Sequence, residues 1–319
     1  MNIEKLIGNT PMIKINYEYE GRPGSIYTKL EFYNYSGSIK DRMALYIIQN
    51  ERKNGNLKEG QPIVEVTSGN TGIAFSAIGA LLGLEVHIFM PDWVSIERRK
   101  IIEMYGAKVH LISKEEGGFK GALVLAEEYA TEIGAFRPLQ FDNKLNVEAQ
   151  YNSTGQEIID AVPDVNAFVS GIGTGGTLMG IGKRLKENNP DSKIIALEPS
   201  TLSILKMGME EGSHMIEGIG DDFIPEIVDK DIIDEIVLIH DCDAINMSKK
   251  IAKELGLGIG ISSGANFLAS VLMDCDDLTI ATVFPDDNKK YITTKLSEKI
   301  DTDSKLYSNR IKLIDFEVI

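Results

Sequence analysis

Hydrophobic and polar positions along the chain alternate between strand-length apolar runs and longer stretches with helical spacing, separated by glycine-containing turns. Gly8-Asn9-Thr10-Pro11 followed by Met12-Ile13-Lys14-Ile15 predicts a turn leading into a short strand, with another strand over 26–30. Residues 40–53 place Met43, Ile47 and Ile48 on one helical face, between the loop at Gly37-Ser38 and Gly55. Strands are then predicted over 63–66, 86–90 and 108–112, and helices through 73–78 after a Ser68-Gly69-Asn70 turn, over 95–105 and over 121–133. This strand–helix order predicts a parallel sheet covered on both faces. A long helical pattern over 143–162 precedes a second alternation: strand 167–170, helix 177–186 and strand 193–197. Residues 200–240 are less regular and acidic. Helix 244–255, a glycine-rich turn at 256–264, a helix ending at Met273 and a strand over 278–284 complete the pattern. The change after Asn143 marks a domain boundary.

The 319 residues, 43% of them hydrophobic, suffice for one large or two ordinary α/β domains. The net charge of −15 disfavours binding to a phosphate backbone or an anionic membrane, so no nucleic acid or membrane partner is expected. Two cysteines, Cys242 and Cys275, are too few for a disulfide framework, and no His/Cys spacing suits a metal, so none is expected. The N-terminus lacks a signal-peptide pattern, and the apolar run 73–84 falls short of the roughly 18 residues of a membrane span. A cytoplasmic protein is expected.

Three motifs carry candidate chemistry. Gly171, Gly173 and Gly176 satisfy GxGxxG between a strand and a helix, with Glu198 ending the next strand. The glycines indicate only that helix N-terminal amides can approach a phosphate closely; a dinucleotide, with Glu198 on its ribose, another phosphate ligand and a merely structural turn all remain open. An NAD-binding dehydrogenase is therefore one alternative, although it leaves Lys40 unexplained. Gly260-Ile261-Ser262-Ser263-Gly264 satisfies GxSxG, but His87, His110, His214 and His240 all precede Ser262, whereas α/β-hydrolases need the histidine after the serine. The third motif is Tyr35-Ser36-Gly37-Ser38-Ile39-Lys40-Asp41-Arg42. A lysine beside a helix N-terminus and partly desolvated loses its proton more easily, as an amine attacking a carbonyl must.

These residues, with Gly8-Asn9-Thr10-Pro11, Thr67-Ser68-Gly69-Asn70-Thr71-Gly72, Ser95-Ile96-Glu97-Arg98-Arg99, Gln140-Phe141, Gly218-Ile219-Gly220 and Ile261-Ser262-Ser263-Gly264, run in order over nearly the whole chain. The chain resembles the cysteine synthase and cystathionine β-synthase family of fold type II pyridoxal phosphate (PLP) enzymes. The resemblance implies a tryptophan synthase β-like α/β fold: two three-layer α/β/α domains with mostly parallel sheets. The smaller would cover 35–146 and the larger 1–34 with 147–319, the cofactor lying between them. It also implies a homodimer.

By the same resemblance, Lys40 is the Schiff-base lysine and then moves the substrate α-proton. Thr67, Ser68, Gly69, Asn70 and Thr71 clasp the substrate carboxylate with help from Gln140, and Asn70 also reaches the ring hydroxyl. Gly173, Thr174, Gly175, Gly176 and Thr177 cradle the phosphate, while Ser262 meets the pyridine nitrogen. A neutral hydroxyl there makes the ring a moderate electron sink, which favours β-elimination and β-replacement through an aminoacrylate over transamination.

Two departures bear on the substrate. Tyr35 stands where relatives commonly have proline or a small residue. In Gly220-Asp221-Asp222-Phe223, Asp222 resembles the aspartate of cystathionine β-synthases, whereas cysteine synthases usually have small residues before that phenylalanine. A carboxylate at the site mouth repels bisulfide but assists water or a thiol. The expectation is thus L-cysteine as substrate, with hydrogen sulfide leaving and serine or a thioether such as lanthionine formed. The alternative is an O-acetylserine sulfhydrylase in which Asp221 and Asp222 are solvated loop acids.

Overall fold

The computed structural model describes residues 3–209, 211–275, 277–301, 303 and 305–319. In chain order the elements are β1 (Met12–Tyr19), β2 (Arg22–Leu30), α1 (Lys40–Lys53), β3 (Ile63–Val66), α2 (Asn70–Leu82), β4 (Val86–Pro91), α3 (Ile96–Met104), β5 (Lys108–Ile112) and α4 (Gly118–Ile133). They continue with α5 (Leu145–Asn152), α6 (Thr154–Ala161), β6 (Ala167–Gly171), α7 (Gly176–Asn188), β7 (Lys193–Pro199), α8 (Ile204–Met207), β8 (Glu235–Ile239), α9 (Asp241–Leu255), α10 (Ile261–Met273), β9 (Ile280–Phe284) and β10 (Ile311–Val318).

Among the described residues, a three-stranded sheet has the order β3-β4-β5, all parallel, and a seven-stranded sheet runs β10-β1-β2-β9-β6-β7-β8. The larger sheet is parallel from β2 through β9 and β6 to β8, while β10, β1 and β2 pair antiparallel. Side-chain alternation builds its two apolar layers. Ala167, Val169, Ile195 and Leu197 face one core with α9 and α10; Phe168, Ile194 and Ala196 face the other with α7. The small sheet does the same, Ile88 and Met90 packing toward α1 and α2, and Val64, Val66 and Phe89 toward α4.

The helical pattern over 143–162 is two helices, broken at Ser153, whose backbone (φ −122°, ψ −79°) belongs to neither. The acidic region contains the half-buried edge strand β8, and β10 closes the sheet against β1. In the parallel part, ligand-binding loops collect at the strands' carboxyl ends. The turns after β3, β6 and β9 all open there.

Candidate active site

A cleft is lined by Lys40, Thr67, Ser68, Asn70, Thr71, Gln140, Gly173, Thr174, Gly175, Thr177, Asp221 and Ser262, among others. Six chain segments singled out separately in the sequence therefore meet at one place.

Lys40 begins α1, as expected. The loop before it is closed locally: the Ser36 amide donates to Asp41 (2.8 Å), Gly37 adopts φ +87°, and the Ile39 amide donates to the Pro285 carbonyl (2.9 Å). Arg42 anchors the helix on the end of β2 through Glu31 (2.6 Å) and on α6 through Glu157 (2.6 Å). Burial depresses the Lys40 amine's pKa, while Asp286 and Asp221 partly oppose that shift. The lysine is thus held by a rigid, charge-compensated frame.

The Thr67–Thr71 loop joins β3 to the N-terminus of α2, where free amides suit a carboxylate. Gly69, at φ +155°, has its amide bonded to the Thr67 hydroxyl (2.9 Å), and an added Cβ would lie 2.1 Å from the Arg98 Cδ. Gln140 accepts from the Thr71 hydroxyl (2.6 Å) and donates to the Val66 carbonyl (2.6 Å), so it braces this loop. Leu139 before it has φ +55°, a costly conformation that aims Gln140 inward.

On the opposite side the glycine turn leads into α7. Added Cβ atoms would meet the Gly218 carbonyl oxygen 2.5 Å from Gly173, Val228 2.4 Å from Gly175 and Asn146 2.1 Å from Gly176. Bare backbone is what lets Gly218-Ile219-Gly220 pack on this turn, with the Gly220 amide bonded to the Ile172 carbonyl (2.8 Å), and so brings Asp221 into the cavity. Asn146 fastens Thr174 by a 2.9 Å bond. The concave turn, the amides at the start of α7, the lysine across from it and Ser262 in the first turn of α10 fit a PLP phosphate, carbonyl carbon and ring nitrogen.

The two acids separate. Asp221 lines the cavity, and burial, with a smaller contribution from the negative Asp222, raises its pKa to about 6. Asp222 pairs with Lys120 (2.9 Å) and is partly exposed. Phe223 packs on Phe141 (centroids 5.0 Å) and Phe119, which form an apolar wall of the cavity. Tyr35 is exposed and does not line the cavity.

The dehydrogenase reading of GxGxxG is corrected by Glu198. Its buried carboxylate accepts from the Ser203 hydroxyl (2.7 Å) and the amides of Ile204 (3.0 Å), Leu205 (2.9 Å) and Lys206 (3.1 Å). Both oxygens are spent capping α8, leaving none for a ribose. Ser262 sits in a helix rather than a nucleophile elbow with an ordered histidine.

Sequence reasoning missed Asn266, one helical turn after Ser262, which accepts from the Gly171 amide (2.9 Å) and donates to the Val283 carbonyl (2.9 Å). Its i+4 spacing was the available signal. It also missed Asp286 and Lys290, which lie in what reads as a polar loop.

The profile of the family described as "Pyridoxal-phosphate dependent enzyme" matches residues 3–286. The chain belongs to this family of pyridoxal-phosphate-dependent enzymes. Within it, the chain is 39% identical over 301 residues to a cysteine synthase of Staphylococcus aureus, covering 92% of this chain and 96% of that one. A crystal structure of a hydrogen sulfide-producing enzyme from Fusobacterium nucleatum is 46% identical, covers 99% of this chain and 97% of its own, and superposes with a TM-score of 0.96. A cysteine synthase from Entamoeba histolytica is 34% identical, with a TM-score of 0.88 and coverage of 97% and 94%. The protein is a PLP-dependent enzyme of the cysteine synthase type, catalysing β-replacement or β-elimination on an amino acid. No helix among the described residues is long and apolar enough to cross a membrane.

Proposed function

We propose that this enzyme acts on L-cysteine, releases hydrogen sulfide and completes the product with water or a second thiol. The observation that carries the reading is Asp221: a carboxylate inside the cavity, within electrostatic reach of Lys40, with its pKa raised to about 6. A base of that strength accepts a proton efficiently near neutral pH. It also repels an incoming bisulfide anion and so disfavours the reverse, cysteine-forming direction. The similarity to a hydrogen sulfide-producing enzyme supports the same direction.

PLP, when bound, supplies the electron sink that makes loss of the α-proton possible. The Thr67–Thr71 amides and hydroxyls orient the substrate carboxylate, and Gln140 holds that loop in shape. Lys40, neutral more readily because it is buried, takes the α-proton as the Cβ–S bond breaks and sulfide departs. Asp221 then removes the proton from water or from a second cysteine thiol as its oxygen or sulfur bonds to Cβ, and the proton held by Lys40 returns to Cα. Cysteine plus water gives serine plus hydrogen sulfide; two cysteines give lanthionine plus hydrogen sulfide. Lys120 neutralises Asp222 at the rim, which leaves Asp221 as the acting base.

The second reading, cysteine formation from O-acetylserine and sulfide, is favoured by the similarity to the staphylococcal cysteine synthase. Sulfide release from cysteine alone, with products identified by mass spectrometry, separates the two. No sulfide from cysteine, or full activity in Asp221→Asn, defeats the proposal. A homodimer and a cytoplasmic location belong to the same reading; sedimentation of the purified protein tests the dimer.

A further inference from the structure

Behind Asn70 lies a buried polar group that the reaction does not account for. The Asn70 carboxamide is gripped at both ends: its oxygen accepts from the Lys290 ammonium (2.9 Å), and its nitrogen donates to Asp286 Oδ2 (2.8 Å). Lys290 also donates to the Gly37 carbonyl (2.8 Å), in the loop that presents Lys40. Asp286 Oδ2 further accepts from the Tyr291 hydroxyl (2.7 Å), which burial keeps protonated. Asp286 is fully buried, Lys290 nearly so, and Asp286 Oδ1 has no hydrogen-bond partner. That oxygen packs against Gly260, where an added Cβ would lie 1.9 Å away. Burying two charged groups is costly unless their geometry is used.

An ammonium only donates and a carboxylate only accepts, so this arrangement permits one orientation of the Asn70 amide. We propose that Lys290 and Asp286 are positioning residues that lock Asn70, so that its second N–H, and not its oxygen, is presented to the ring hydroxyl oxygen of PLP. The inference rests on Asn70 being the residue at that hydroxyl. A fixed donor there favours the ionised hydroxyl, and hence the visible-absorbing form of the lysine-bound cofactor over the near-ultraviolet one. Tying Lys290 to Gly37 also places the amide and the lysine in one frame.

The test uses the full-length enzyme loaded with PLP. Lys290→Met frees the amide to rotate: the visible band is expected to lose intensity to the near-ultraviolet band, and the cofactor's dissociation constant to rise about tenfold, as for loss of a charged hydrogen bond. Lys290→Arg restores a cationic donor and is expected to recover both. Folding is followed separately by circular dichroism, since a merely structural role lowers Tm without moving the band ratio. A folded Lys290→Met protein with the wild-type spectrum and cofactor affinity overturns the inference. If that variant does not fold, Lys290→Gln decides: its carboxamide is of similar reach but can accept as well as donate, so the Asn70 amide is no longer held one way round; an unchanged visible band and cofactor affinity in folded protein rule the inference out, and a shift to the near ultraviolet upholds it. Wild-type protein that fails to take up PLP counts instead against the site assignment on which the inference rests.

Discussion

Replacing Asp221 by asparagine is expected to stabilise the folded protein above neutral pH while removing its action on cysteine. The carboxyl has an ordinary pKa of 3.8, and its surroundings raise this to about 6. At about 1.4 kcal/mol per unit, ionising it in the folded protein costs ~3 kcal/mol more than in the unfolded chain. The side chain is not sealed from solvent, and screening reduces that to ~1–2 kcal/mol. Below roughly pH 3.8 both states keep the proton and the residue makes no difference. Between there and about pH 6 the unfolded chain has released the proton and the folded protein has not, so stability falls as pH rises. Above that range the penalty is constant. Asparagine carries no such penalty, so the variant's advantage should grow from nothing near pH 4 to its plateau above about pH 7. Urea unfolding of cofactor-free protein across this range measures it. In the loaded enzyme the same variant should lose a factor of ~10² or more in sulfide release. An advantage over the wild type that is no larger at alkaline than at acid pH would refute the perturbed carboxyl, and a variant that is active would refute the base.

Lys40→Ala should abolish the covalent attachment of PLP: after borohydride reduction, the cofactor's added mass should be missing from the peptide spanning residue 40. Gly176→Ala drives a methyl into Asn146, 2.1 Å from the added carbon, and should release Thr174. Its expected cost is ~1–3 kcal/mol of stability and a weaker hold on PLP, read by denaturation and by equilibrium dialysis. Arg42→Met leaves Glu31 buried without its partner and should destabilise the fold by ~3–5 kcal/mol in guanidinium unfolding. Unchanged unfolding in that variant would show that the anchor under α1 is dispensable.

Much of this arrangement is legible in the sequence because the local signals agree. Gly37-Ser38 before an amphipathic run predicts a helix starting at Lys40, and α1 starts there. The glycine turn at 171–176 announces an anion site but not which one, because a ribose and a PLP phosphate make the same demand on backbone amides. Only the tertiary bonds that occupy Glu198 decide against the dinucleotide. The helix break at Ser153 is invisible to periodicity, since apolar spacing continues across it. Strand β10 has few buried positions and depends on pairing with β1. Asp286 and Lys290 look like loop charges because Asp287, Asn288 and Lys289 surround them. Their burial is a property of the packed loops and not of the segment. The aspartates show the same limit: resemblance singles out Asp222, whereas in the fold Asp221 lines the cavity and Asp222 pairs with Lys120.

Giving the purified, PLP-loaded enzyme L-cysteine alone and measuring sulfide, in parallel with cysteine formation from O-acetylserine and sulfide, decides which direction this active site serves. Steady sulfide release from cysteine is expected, accompanied by serine or lanthionine in equal amount and faster than the synthetic reaction. Cysteine formed from O-acetylserine with no sulfide released from cysteine would contradict it.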